Sequence, residues 1–349
     1  MLAFKIYEII YFIEIFFISL FIAFVADIFI IKYAQKSGFL LDKSSTIKPQ
    51  KMHYGDIPRA GGIGIFLAFC FVIFFGLKYI SLLLLVPIFL VFLSGVLEDF
   101  KNSLSPKQRL LLQVLAAISA IYFFDCVIVD IGISLPYYLG VVFSVFCIVG
   151  IINAINIIDG FNGLAGGFCT LALLSIAFVS YIVGDIKIFY ICIGLIGGIC
   201  GFLILNFPKG RIFLGDGGAY LLGFVLAFLL IKLTQNENNG VSPWYGITIM
   251  IYPIFEVLFS IYRKKIIRSM SAMQPDSIHF HMLIYKRITR SNYKTSMFIW
   301  ALNLPFIFLP VLFFDNTFVL IVIAIIFIFI YLFIYFRIIK FASGINKGA

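Results

Sequence analysis

Apolar residues run through this chain in long unbroken stretches, and the polar residues gather between them. Eleven stretches approach or exceed the roughly 18–20 residues that a helix needs to cross a bilayer. They lie near 7–31, 61–77, 79–97, 109–124, 137–157, 164–183, 187–206, 217–233, 245–262, 295–314 and 317–340. The division between the second and third is the least distinct. Because the hydrophobicity is continuous rather than alternating, a β-barrel is excluded. The pattern predicts an all-α polytopic membrane protein with about eleven transmembrane helices, residues 1–349 forming a single domain. The first stretch has no small-residue cleavage site after a short core, so it reads as a retained span. No soluble domain, low-complexity tail or internal repeat is visible.

Basic residues orient the spans. With the N-terminus outside and strict alternation, 22 of the 26 Lys and Arg fall on the inner side. They sit in segments 32–60, 98–109, 207–211 and 263–294 and in the C-terminal end from Arg337. Only Lys5, Lys78, Lys187 and Lys232 fall outside. That asymmetry follows the positive-inside rule and predicts a cytoplasmic C-terminus in a cell inner membrane. It also accounts for the net charge of +10 without nucleic acid as a partner. Composition agrees, since 63% of residues are hydrophobic and 12% charged, far fewer charges than a soluble surface carries. The six cysteines, 70, 126, 147, 169, 192 and 200, lie in or beside apolar stretches without metal-like spacing and read as buried thiols.

With this orientation, every dense polar stretch faces the cytosol. Asn153, Asn156 and Asp159 end one apolar stretch at intervals of three, so each pair is adjacent on a helix. Gly160 and Gly163 then permit a turn. Polar side chains at the mouth of a membrane helix are costly unless something uses them, although a polar helix end with a glycine stop is the plain alternative. Arg59 precedes Gly61 and Gly62 at the start of another span. Exposed amides beside an arginine suit a phosphate, and positive-inside anchoring would leave the same trace. The adjacent acids Glu98 and Asp99 could hold Mg²⁺, supply a base, or be solvated loop acids.

Asn206 opens a loop running to Leu-Gly-Asp216-Gly-Gly directly before a span. Its amides could meet an anion while Asp216 holds a metal, or Asp216 could simply cap a turn. It is not a Walker A loop, because no Gly-Lys-Ser/Thr follows. Last comes Gln274-Pro-Asp-Ser-Ile-His279-Phe-His281-Met, with Lys286 and Arg287 beyond. Histidines two apart do not match a zinc-protease helix; in an extended turn both could face a phosphate, or one could cap or pack. Taken together, Glu98/Asp99, Asp159 and Asp216 cannot ionise side by side without a cation, and Mg²⁺ is the expected one beside a phosphate substrate. Arg59, His279 and His281 add donors, and the set suits phosphoryl transfer. Glu8, Glu14, Asp27 and Glu256 also fall in or near spans, without an assigned role beyond an inner-end cap for Asp27.

The sequence Asn-Ala-Ile-Asn-Ile-Ile-Asp-Gly from Asn153, then Leu-Gly-Asp-Gly-Gly around Asp216, then Pro-Asp-Ser-Ile-His-Phe-His to His281 resembles one family. This is the polyprenyl-phosphate N-acetylhexosamine-1-phosphate transferases, of the bacterial undecaprenyl-phosphate GlcNAc-1-phosphate type. The resemblance implies transfer of a sugar 1-phosphate from a UDP-amino sugar to a polyprenyl (undecaprenyl) phosphate lipid. UMP is released, with Mg²⁺ or Mn²⁺ as cofactor, in the first membrane step of cell-surface polysaccharide synthesis. It implies Glu98, Asp99 and Asp159 as catalytic residues and Asp216 with Asp99 as metal ligands. Arg59, Asn153, Asn156, Asn206, His279 and His281 would bind substrate. The active-site loops would be 32–60, 98–109, 157–164, 206–218 and 263–294, and a homodimer stays open. Three positions depart from the family pattern: Glu98 stands for the usual Asp, Asn162 for a second Asp, and Met282 for a further His. The lack of consecutive histidines argues against the phospho-MurNAc-pentapeptide branch. GlcNAc leads as donor sugar, with FucNAc or QuiNAc as alternatives. The rival of another class is a transporter or flippase.

Overall fold

The structure is a computed structural model and describes residues 2–42, 56–75, 80–101, 104–267 and 278–345. Lys51–Gly55 of the first inner loop and Gln274–Ser277 of the last one, both part of the motifs above, lie outside the described residues. Thirteen helices make up nearly all of the rest. In chain order they are α1 (Leu2–Ser37), α2 (Gly61–Phe75), α3 (Leu85–Lys101), α4 (Pro106–Phe124), α5 (Tyr137–Ile158), α6 (Leu164–Ile182) and α7 (Ile186–Asn206). There follow α8 (Gly215–Thr234), α9 (Pro243–Ile249), α10 (Ile251–Tyr262), α11 (Phe280–Ile284), α12 (Asn292–Phe308) and α13 (Thr317–Ile345).

Each of the eleven predicted stretches coincides with helix, but not with eleven equal spans. Among the described residues nine helices are long and apolar enough to cross a membrane, and a tenth span is a bent pair. The 245–262 stretch is that pair, α9 and α10 meeting at 73°. Pro253 lacks an N–H, so the carbonyl of Ile249 four residues earlier loses its helical partner at the break. Among the described residues helix α2 has 15, Gly61–Phe75. One further element departs from the all-α expectation. A two-residue ribbon pairs β1 (Leu41–Asp42) antiparallel with β2 (Ile57–Pro58).

Local chemistry sets most boundaries. Ser105 accepts from the Gln108 amide while Gln108 reaches back to the Ser105 amide, a reciprocal cap that starts α4 with Pro106 in its first turn. The Asp185 side chain caps α7 by accepting from Ile188 N. Gly163, at a φ of 76°, takes the left-handed conformation that lets the chain turn from α5 into α6.

Helix α8 is the axis of the molecule, almost wholly enclosed by its neighbours and packed on α2, α3 and α5. Lipid-like interiors offer no hydrophobic drive between helices, so close backbone approach through small residues does the holding. Gly62 on α2 lies against Gly217 and Gly218 of α8, and Gly95 on α3 against Asp216 and Gly217. Large apolar side chains such as Phe21, Phe29, Phe329 and Phe333 point outward from α1 and α13, as a lipid-facing rim requires. Asp27 is buried against Gly64 of α2, within α1 rather than capping its inner end. Helices α2, α4, α6, α8 and α12 begin, and α3, α5 and α7 end, at the polar motifs, so all the chemistry-bearing loops share one face of the bundle.

A Cβ at Gly95 would overlap the backbone of Asp216, whereas Gly150 borders open space. Replacing Gly95 by Leu should cost at least about 1–3 kcal/mol and sharply lower folded yield in detergent. Gly150→Leu should leave yield and melting temperature near those of the native protein. Equal melting temperatures for the two variants would contradict the close packing of α3 on α8.

Candidate active site

The site begins with the problem of starting α8 inside the protein. A helix leaves its first amides unpaired, and here Asp99 from the end of α3 meets them. Its Oδ1 accepts from the Asp216 amide at 3.0 Å and its Oδ2 from the Gly217 amide at 2.9 Å. The absent Cβ of Gly215, at a φ of 76°, makes room for Asp99 Oδ2 and the Arg59 carbonyl. Arg59 is brought in by backbone pairing. Its amide donates to Leu40 O, and the Phe213 amide donates to Pro58 O, joining the first loop to the loop before α8. The Gly61 and Gly62 amides at the start of α2 donate to Phe213 O and Leu214 O. The start of α2 thus braces a neighbouring loop instead of presenting two free amides to a phosphate, a correction to the reading of the Gly61–Gly62 pair.

Asp216, fixed by its own helix start, carries three side-chain donors. Arg59 Nη2 lies 2.7 Å and Asn156 Nδ2 3.1 Å from Oδ1, and Arg109 Nη1 lies 3.3 Å from Oδ2. Arg59 also sits 3.5 Å from Asp99. Burial works against the Arg59 charge, but Asp216 and then Asp99 outweigh it and hold its proton more firmly than usual. Two arginines, then, already stand between the carboxylates that were expected to need a cation.

Beside this cluster a cavity of about 340 Å³ opens. Arg59, Asn156, Asp159, Asn206, Asp216 and His279 all line it, with Asp42, Asn162 and Asn292 adding polar wall. Asp159 follows the last turn of α5, where the chain breaks at Gly160. Among the described residues its carboxylate makes no hydrogen bond or ion pair. Burial pushes its pKa up to about 7; Arg59 opposes this, and Asp216 and Asp99 add to it.

Other expected residues lie behind the wall rather than on it. Asn153 donates to Gln113 Oε1 and to Val149 O, tying α5 to α4. Glu98 lies 3.9 Å from Arg109. Asp99, with a side chain only 3% exposed, has both oxygens on backbone amides. Asn206 touches the cavity, yet its side chain latches the loops by accepting from Gly163 N and donating to Ile212 O. His281 is fully buried beneath Gly160 and Phe161, its Nδ1 3.2 Å from the Tyr252 hydroxyl. Burial lowers its pKa to about 3, so the ring is neutral. His279 alone of the pair reaches the cavity.

Asn162 explains itself locally. Its Nδ2 donates to Pro208 O, its backbone amide to Asn292 Oδ1, and its carbonyl accepts from Ser296 Oγ. An aspartate there could not make the first of these bonds. Arg109, Asp42 and Asn292 were not singled out from sequence, and Glu256 was noted there only as an acid in or near a span without a role. Arg109 lies one helical turn beyond the Ser105 cap, which is the local signal that places it at this face.

Comparison with known proteins follows from this geometry. The Glycosyl transferase family 4 profile matches residues 81–234, the segment from α3 through α8. The undecaprenyl-phosphate alpha-N-acetylglucosaminyl 1-phosphate transferase of Yersinia pestis is 30% identical over 268 residues, covering 73% of this chain and 72% of that protein. The protein of the same name from Escherichia coli strain K12 is 28% identical, over 73% and 71%. A probable undecaprenyl-phosphate N-acetylglucosaminyl 1-phosphate transferase of Bacillus subtilis strain 168 is 30% identical over 66% of each chain.

The chain belongs to glycosyl transferase family 4. As a family 4 member it is a multi-pass enzyme of the inner membrane that carries out phosphoglycosyl transfer between a UDP-sugar and a polyprenyl phosphate. That reaction implies Mg²⁺, although among the described residues no three His, Cys, Asp or Glu side chains cluster as a metal site. Mg²⁺ is commonly held by one or two carboxylates and completes its shell with phosphate oxygens and water. Asp216 fits that pattern, since it lines the cavity and its Oδ2 has only the 3.3 Å Arg109 contact.

The raised Asp159 carboxyl gives a pH prediction. The folded protein holds a proton near pH 7 that the unfolded chain releases near pH 4. Stability contributed by that proton is complete below about pH 4 and is lost as pH rises through about 7. In metal-free detergent solution the melting temperature should fall between about pH 4 and 7 and level off above, and Asp159→Asn should lessen the slope, the remainder belonging to Asp99, whose carboxyl burial also pushes up to about 7. An unchanged slope in the variant would contradict the assignment.

Proposed function

We propose that this enzyme moves N-acetylglucosamine 1-phosphate from UDP-GlcNAc to undecaprenyl phosphate, releasing UMP, as the first membrane step of a cell-surface polysaccharide. The observation that carries the reading is the cavity floor itself. An unpaired carboxylate, Asp159, stands beside a carboxylate gripped by two arginines and an asparagine, at the one face where the loops meet. Anionic diphosphates need that mixture of cation and fixed dipoles, and phosphoryl transfer is mostly positioning and charge neutralisation. The relatives are named for GlcNAc and undecaprenyl phosphate, which supports the same donor sugar and acceptor here.

In this mechanism the donor diphosphate lies along Arg59 and His279. Mg²⁺, held by Asp216, would neutralise charge on the diphosphate. Asp159 takes the remaining proton from the acceptor phosphate, and an acceptor oxygen attacks the sugar-linked phosphorus while the bond to the UMP oxygen breaks. A base whose pKa lies near 7 is half unprotonated at working pH. Glu98 and Asp99 act from behind, Asp99 by fixing the α8 start and Glu98 by holding Arg109 near Asp216. The cavity faces the cytosol, where the excess of Lys and Arg lies.

Purified protein with undecaprenyl phosphate, Mg²⁺ and a panel of UDP-amino sugars should give a lipid product whose mass corresponds to added GlcNAc phosphate. Products with FucNAc or QuiNAc in preference would keep the reaction and change the donor. Asp216→Asn and Asp159→Asn, each shown to be folded, should lose at least about 100-fold in kcat. Retained turnover in both would reject these roles.

A further inference from the structure

Behind the cavity wall lies a buried carboxylate that the mechanism above does not use. Glu256, on α10, is completely enclosed. Around its carboxylate three donors converge. The His279 Nδ1 edge lies 2.8 Å from Oε1, the Tyr331 hydroxyl donates to Oε2 at 2.7 Å, and the Phe280 amide points at both oxygens at 3.2 and 3.3 Å. A protonated carboxyl would itself need an acceptor, and every one of these partners can donate. The arrangement is that of an ionised carboxylate accepting on both oxygens.

Burying such a charge costs several kcal/mol unless it is matched. One tyrosine hydroxyl and one amide alone do not match it; a proton on His279 Nδ1 completes the match. The ring that meets it is also, among the described residues, the one histidine that lines the cavity. His279 has its Nδ1 edge committed to Glu256, so its Nε2 edge is the one left to meet a ligand. His281 lies parallel to it with ring centres 5.5 Å apart, tied in turn to Tyr252. Helices α10 and α13 thus grip the histidine loop from behind through Glu256 and Tyr331.

We propose that Glu256 is a positioning residue for the transfer reaction. It fixes the His279 ring through Nδ1 and supplies the counter-charge that lets Nε2–H donate to an anionic diphosphate oxygen as charge builds there. The proposal rests on the reading of the cavity as the diphosphate site. A carboxylate behind an imidazole is a recurring way to set tautomer and orientation. The break between α9 and α10 gives this arrangement a structural cause, because it starts a new helix that carries Glu256 at the level of the loop.

The test is a double-mutant cycle on full-length protein in detergent, with undecaprenyl phosphate and UDP-GlcNAc. Glu256→Gln keeps the shape and removes the charge, and His279→Asn keeps a donor toward Glu256 and removes the Nε2 edge. Glu256→Gln should lower kcat at least about tenfold with donor KM changed less than about threefold. Glu256→Asp should recover part of that loss. Added to His279→Asn, Glu256→Gln should cause no further loss, because the carboxylate acts only through the ring. Full turnover in Glu256→Gln, or the same fold-loss in both backgrounds, overturns the proposal. If Glu256→Gln does not accumulate as folded protein, Tyr331→Phe carries the same cycle. It should lose several-fold in kcat in the native background and nothing in the His279→Asn background; equal losses overturn the proposal. A native protein inactive with every UDP-sugar overturns the functional reading as well, which separates that failure from failure at Glu256 alone.

Discussion

The structure depends on how one buried helix is allowed to begin. Helix α8 runs through the centre of the bundle, and its first amides open into protein rather than water. Unsatisfied amides in such a place cost several kcal/mol. Asp99 answers two of them, and its own charge is then answered by Arg59. Once that seat is fixed, Asp216 stands at the cavity edge and meets Arg59, Arg109 and Asn156. The close glycine contacts of α2 and α3 with α8 serve the same end, since they bring the start of α2 and the end of α3 within reach of the start of α8.

From that seat the chemistry follows outward. The carboxylates are graded by their surroundings: Asp99 is consumed by structure, Asp216 is shared among cations, and Asp159 is left unpaired on the cavity. Three similar side chains therefore have three different capacities. The histidines divide in the same manner. His281 is neutral and enclosed, a prop beneath the Gly160 turn, whereas His279 touches the cavity and is backed by a carboxylate. Asn162, where the wider family often has an acid, is occupied in tying three loops together.

The fold was legible in the sequence to the extent that hydrophobic length reports it. Span positions came through because twenty apolar residues have few uses besides crossing a bilayer. The count of eleven did not carry over as such, because periodicity does not distinguish a full crossing from the short α2 or from a helix broken near Pro253. That the polar motifs gather on a single face was legible from the alternation of the spans. What the sequence concealed was division of labour. Adjacent Glu98 and Asp99 look equivalent in one dimension, and only the location of the α8 amides shows that Asp99 is engaged. The roles of Glu256 and Arg109 were hidden for a related reason. Their partners lie on elements far away in sequence, and a lone acid in an apolar stretch gives no hint of the histidine it will meet.

The central claim is that acids, amides and cations from separate loops close around one nucleotide diphosphate at one face of the bundle. The most direct measurement is a structure of the protein with UDP-GlcNAc and Mg²⁺ bound. The account predicts the diphosphate in the cavity between Asp216 and His279, within contact of Arg59. The nucleotide seated instead at the opposite end of the bundle, in the cavity of about 740 Å³ beside Lys232 and Asp185, would contradict it.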